Sequence, residues 1–160
     1  MNIRTLGALA ALALLSACAS KPADTQTSTG QTMAPQMAPS IVPGSQEDLV
    51  ANVGDRVFYE FNKSTLSDEA QATLTKQATW LAKYPNVQVQ LAGNCDERGT
   101  EEYNLALGNR RANAARDFLV AKGVSTARIT TISYGKDRPV ALGSNEQAWA
   151  QNRNSITSVK

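Results

Sequence analysis

Gly93-Asn94-Cys95-Asp96-Glu97-Arg98-Gly99-Thr100 decides how this chain is read. Two acids, a base and two glycines fall within eight residues. A strand-like run, Val87-Gln88-Val89-Gln90-Leu91-Ala92, leads into the stretch, and a helical pattern from about Glu101 to Lys122 leads out of it. A glycine-flanked polar turn at the end of a strand is where a rigid scaffold presents a binding loop. In the helix, Leu107, Arg111, Ala114, Ala115 and Phe118 recur at three- and four-residue spacing and so share one face. Arg111 then points where a core residue belongs, while Arg110 is rotated to the surface. A guanidinium on a core face is costly unless an acid or a ligand carboxylate meets it. The nearest acid in a natural position is Asp96. The expectation is that Asp96 and Arg111 line one pocket that reads a small zwitterion. Two other readings stay open: Asp96 as a turn or helix cap, and Asp96 with Arg111 as a purely structural ion pair.

Working outward, Asp55 to Phe61 alternates and is aromatic-rich, which predicts a strand. Ser67 precedes Asp68 and Glu69, the capping residue and charge sign that suit a helix start. Ala70, Leu74, Ala78 and Leu81 form its apolar stripe, and Tyr84-Pro85-Asn86 ends it. Lys122-Gly123 ends the second long helix. Arg128 to Tyr134 reads as a strand, Asn145 caps a short helix to Gln151, and Ser155 to Val159 is a last strand. The order is strand, helix, strand, helix, strand, strand, an α/β or α+β domain over residues 46–160.

The start of the chain has a different character. Arg4 and the apolar run Leu6 to Leu15 suit a secretory leader and are too short to span a bilayer. Leu15-Ser16-Ala17-Cys18 resembles the bacterial lipoprotein cleavage box, which implies residues 1–17 as signal peptide and Cys18 as the lipidated first residue. Ala19, rather than Asp, implies the outer membrane as address. Residues 18–45 are poor in apolar mass and charge and read as a disordered tether. Its reach is roughly 90 Å when stretched and about 30 Å as a coil.

Composition excludes several chemistries. The 160 residues carry a formal charge of +2 with interspersed signs, so no nucleic-acid surface is expected. The sequence has no histidine, which removes Ser-His-Asp and Cys-His catalysis and histidine-ligated metals. Cys18 and Cys95 alone cannot cage zinc. No cofactor is expected. Asp96-Glu97 offers a carboxylate pair of the kind that hydrolyses glycans, although adjacent loop residues usually point apart. Cys95 lacks an activating histidine, and Trp80 and Trp149 read as packing residues.

The quoted stretch, followed by Glu102-Tyr103-Asn104, Leu107-Gly108 and Arg110-Arg111-Ala112, resembles the signature of the OmpA-like peptidoglycan-binding domain family. The Asp-Glu-Arg-Gly-Thr and Glu-Tyr-Asn pieces are similar to the lipoprotein branch that works with the Tol complex. Ser133-Tyr134-Gly135-Lys136, Pro139 and Asn152-Arg153 fit later blocks. The resemblance implies a mixed four-stranded sheet with two main helices packed on it, and no enzymatic activity. It implies noncovalent binding of the peptidoglycan stem peptide at meso-diaminopimelate. By position, Asp96 would take the ligand ammonium and Arg111 its carboxylate, with Phe61, Asn62, Asn104 and Leu107 lining the pocket. It also implies TolB as a partner competing for an overlapping surface. The chain departs from the family at Asn94, where His is commonest, at Cys95, where Thr is common, at Asn62, where Asp is frequent, and at Asn154, where a second arginine is frequent. Asn94 and Cys95 are expected to stand clear of the central pair.

Overall fold

A hydroxyl stands at the start of each long helix to take a free N–H. The structure, a computed structural model, describes residues 40–160. The expected leader, Cys18 and most of the tether lie outside the described residues. Ser67 Oγ accepts from the Ala70 N–H ahead of α2 (Asp68–Lys83), while Thr100 Oγ1 accepts from Tyr103 N–H ahead of α3 (Glu101–Ala121). Acids occupy both first turns, complementing the helix dipole. Asn145 caps the short helix Glu146–Asn152 in the same way.

The strands are β1 (Arg56–Phe58), β2 (Val89–Asn94), β3 (Ile129–Gly135) and β4 (Asn154–Val159). They form one mixed sheet in the order β1-β4-β2-β3. β2 and β3 run parallel, as the crossover through α3 allows, and β4 lies antiparallel between β1 and β2. Helices α2 and α3 cover the sheet. Leu74, Ala78 and Leu81 from α2 meet Ala112, Ala115 and Leu119 from α3 over Val57, Val89, Leu91 and Ile129. Each of these is at least nine-tenths buried, so the core is continuous.

The expected order therefore holds, with local differences. β1 is shorter than the alternating run because the chain leaves the ladder at Tyr59, whose N–H donates to Arg153 O, and turns through Asn62 at φ 57°. β2 begins two residues late, since Val87 N–H closes a turn onto Tyr84 O. It runs on through Gly93 and Asn94, so the quoted stretch opens as strand rather than loop. On α3 the buried face centres on Arg111, Ala112 and Ala115; Ala114 and Phe118 sit at its margin.

One α-helix was not legible. Residues Gln46–Asn52 form a helix, labelled α1 here, which buries Leu49 completely. Its Asp48 accepts from Gly44 N–H at 2.8 Å, Trp80 Nε1–H at 3.0 Å and Asn52 Nδ2 at 2.7 Å. Gln46 donates to Thr157 O and accepts from Val159 N–H, so its amide pairs with β4 where β1 has ended. Gly44 and Ser45, placed in the tether by the sequence reading, already hydrogen-bond into this helix.

Candidate functional site

The pocket exists because α3 comes very close to β2. A Cβ on Gly108 would stand 2.7 Å from Gly93 O, and one on Gly93 would collide with the Gly108 carbonyl. Only glycines permit that approach. The register between β2 and β3 shifts at Gly93/Asn94, and Cys95 N–H then donates to Gly135 O at 2.7 Å. This irregularity turns Cys95 and Asp96 under the start of α3, a common use of a strand bulge.

A cavity of about 160 Å³ opens there, lined by Phe61, Asn62, Cys95, Asp96, Arg98, Gly99, Tyr103, Asn104, Leu107 and Arg111. All six residues expected to form the ligand site thus share one pocket. The volume is below the roughly 300–1,000 Å³ of pockets that take drug-sized ligands, and suits a head group.

Arg111 is fully buried and meets no acid. Its Nε donates to Lys63 O at 2.9 Å, Nη1 to Asn94 O at 2.8 Å and Nη2 to Glu60 O at 3.1 Å. Its guanidinium carbon lies 5.1 Å from the Tyr59 ring centroid, and Tyr59 Oη–H donates to Arg111 O. Burial pushes the Tyr59 hydroxyl up to about 12, so it stays a donor. Three carbonyl dipoles solvate the cation, and among the described residues no carboxylate lies within ion-pair distance of it. Burial lowers the arginine's proton affinity, against the pull of Cys95, Tyr59 and Asp96, yet a guanidinium does not deprotonate in proteins. The site therefore holds a buried positive charge that carbonyls satisfy only as dipoles.

Asp96 is 4% exposed and its carboxylate is occupied. Oδ1 accepts from the Arg98 backbone N–H at 3.2 Å and from Arg98 Nε at 3.3 Å. Oδ2 accepts from Arg98 Nη2 at 2.6 Å and Arg153 Nη1 at 3.3 Å. Desolvation pushes this carboxyl upward, but the hydrogen bonds and charge of Arg98, with Arg153, outweigh it and hold Asp96 below the usual carboxylate range. The alternative of a structural Asp96–Arg111 ion pair gives way to two separate arrangements. Asp96 pairs with two other arginines, and Arg111 rests on backbone.

Three residues that build the site were not among those expected there: Arg98, Arg153 and Tyr103. Arg98 lines the pocket, and its guanidinium carbon sits 4.0 Å from both the Phe61 and Trp149 ring centroids. The two-residue Asp96–Arg98 spacing was the available signal. Arg153 carried no such signal: it lies 57 residues from Asp96 and is buried only because β4 begins beside the loop. Tyr103 also lines the pocket and donates its hydroxyl to Asn62 Oδ1. The expectation that Asn94 and Cys95 stand clear fails. Asn94 O is an Arg111 ligand and Cys95 forms part of the pocket wall. Asn154, the fourth departure, buries its side chain and accepts from Asn94 Nδ2 at 2.8 Å, so the two unusual asparagines answer each other.

The geometry constrains the chemistry. Hydrolysis of a glycan needs a carboxylic acid with a raised pKa. Glu97 is lowered, by Ser144 and by the Trp149 indole N–H at 2.9 Å, and Asp96 is lowered as described. Burial raises the Cys95 thiol and keeps it from being a ready nucleophile. Among the described residues no cluster of three or more acids, cysteines or histidines is placed to hold a metal.

Residues 58–153 match the family model described as OmpA family. The peptidoglycan-associated lipoprotein of Rhizobium meliloti (strain 1021) is 49% identical over 143 residues, covering 89% of this chain and 80% of that relative. The protein of the same name from Pseudomonas putida is 43% identical over 162 residues, covering 96% of each. The crystal structure of the peptidoglycan-associated lipoprotein from Burkholderia pseudomallei superposes with a TM-score of 0.65 at 42% identity, covering 66% of this chain and 90% of that one. The C-terminal domain of Helicobacter pylori MotB, at 18% identity and a TM-score of 0.62, shares the fold over 66% of this chain and 84% of its own. By these matches the chain belongs to the OmpA family, in its branch of peptidoglycan-associated lipoproteins.

Proposed function

We propose that this domain binds peptidoglycan noncovalently at the free end of meso-diaminopimelate in the stem peptide, and performs no chemistry on it. The observation that carries this reading is the unpaired Arg111 cation in a head-group-sized cavity, beside the single acid, Asp96. The end of diaminopimelate is one carboxylate and one ammonium. The carboxylate gives the buried guanidinium the anion it lacks, through donors not committed to Lys63, Asn94 and Glu60. The ammonium falls to Asp96. Phe61, Leu107 and Tyr103 wall the methylene stem, and Asn62 and Asn104 stand at its polar margin.

The names of the relatives support the wall as the partner. With lipid on Cys18 and residues 18–45 as tether, the protein would join the outer membrane to the wall. Its domain would work in the periplasm, keeping the envelope intact and closing it at division. TolB, with the Tol complex, would recruit or release it by competing for the same surface. Many wall sites within reach of an anchored domain raise effective concentration, so a modest single-site affinity suffices.

Titration with soluble muropeptides tests the pocket. A stem ending in meso-diaminopimelate should bind, and one ending in lysine should bind at least about a hundredfold more weakly, because it leaves Arg111 unanswered. Equal affinities would contradict the reading. The Tol assignment is tested separately: TolB should retain the protein in a pull-down, and sacculi should displace it.

A further inference from the structure

The carboxylate assigned to the ligand's ammonium is full in this structure. A carboxylate offers about four lone-pair positions, and Asp96 receives four N–H donors, three of them from Arg98. An ammonium reaches Asp96 only if a donor leaves. Arg153 is poorly placed to go: its side chain is 8% exposed, and it is tied to Tyr59 O at 3.1 Å and Glu146 Oε1 at 2.6 Å. The Arg98 side chain is 31% exposed and lines the cavity. It also has somewhere to go. The faces of Phe61 and Trp149 hold its guanidinium from outside the pair, and Glu146 Oε2 lies 3.9 Å from its Nη1 on a side chain that is 65% exposed.

Resting on the diaminopimelate reading, we propose that Arg98 is a built-in stand-in for the ligand ammonium. It occupies Asp96 in the free protein and yields Nε and Nη2 contacts to the ammonium on binding, while its aromatic seat and Glu146 keep it nearby. The exchange swaps one cation for another on the same carboxylate. The ammonium then adds little net affinity, because a ligand lacking it simply leaves Arg98 in place on Asp96.

Two soluble muropeptides test this. One ends in meso-diaminopimelate, and the other ends in 2-aminopimelate, which keeps the terminal carboxylate and lacks the ammonium. Their affinity ratio is measured by calorimetry for the wild-type chain and for Arg98→Gln, with Arg98→Lys as a second variant. In wild type the two ligands should bind within a few-fold of each other; in Arg98→Gln the ratio should rise about tenfold in favour of diaminopimelate, because Asp96 is now free to pair. In wild type, the Arg98 Nε–H resonance should move and lose exchange protection on saturation with the diaminopimelate ligand and hold with the aminopimelate ligand. That readout needs no variant. An unchanged ratio, equal weakening of both ligands, or an Arg98 resonance indifferent to the ammonium overturns the exchange and leaves the pocket reading standing. Failure of wild type to bind either ligand overturns both.

Discussion

Arg111 commits three N–H donors to three backbone carbonyls, so it holds the β1–α2 loop and β2 together as well as lining the pocket. Removing it leaves Lys63 O, Asn94 O and Glu60 O without that partner. Arg111→Ala should therefore cost on the order of 3 kcal/mol and lower the melting temperature by roughly 10 °C, read by thermal unfolding. A variant that melts like wild type would show that these bonds are replaced by water. The account of Asp96 is electrostatic. Its folded pKa is depressed, so its stabilisation is present above the ordinary carboxylate value and is lost as pH falls through the folded value. Below about pH 4, Asp96→Asn should lose less stability per pH unit than wild type does. Near neutral pH the same variant should reject the diaminopimelate ligand, since Arg98, Arg111 and Arg153 would then surround the ammonium with no acid among them.

At the scale of elements, the approach of α3 to β2 is the feature on which the pocket depends. Gly93→Ala and Gly108→Ala should each destabilise by about 2 kcal/mol or more and weaken muropeptide binding, because the helix that carries Asn104, Leu107 and Arg111 must move outward. Unchanged melting and affinity would mean that the backbone yields cheaply. The α1 helix is held by Asp48, whose pKa is drawn down to about 2 by the Gly44 N–H first, then by Trp80 and Asn52. Its contribution is complete above the ordinary value of 3.8 and is lost as pH falls through about 2. Asp48→Asn should flatten acid unfolding in that window, and faster amide exchange in α1 should accompany it. Most elements were legible because each carries its own period or cap: Ser67 and Asn145 mark two helix starts outright. The α1 helix was not, because its seven residues show no full apolar period and Leu49 alone is buried among apolar positions. Arg111 was legible as a misplaced charge on an apolar face. Its true partners were not, since backbone carbonyls leave no trace in residue type. Arg153 stood in a block that fits the family, but its pairing with Asp96 was hidden for a related reason: only the sheet order places the start of β4 beside the loop.

For the whole molecule, the proposal is a tie with two ends, lipid at Cys18 and the stem-peptide pocket in the domain. Each end should fail alone. Cys18→Ala should move the protein from the membrane fraction to the soluble periplasm while leaving muropeptide affinity unchanged; continued membrane fractionation would remove the lipid anchor from the picture. The pocket end is tested most directly by co-sedimentation with purified diaminopimelate-type sacculi, using the chain from residue 18 with Cys18→Ser. Asp96→Asn and Arg111→Lys run beside it, each matched for folding by circular dichroism. The expected result is that the parent pellets with sacculi and both folded variants stay in the supernatant. If the folded variants pellet as the parent does, Asp96 and Arg111 do not hold the wall, and the zwitterion pocket is only an internal arrangement of charges.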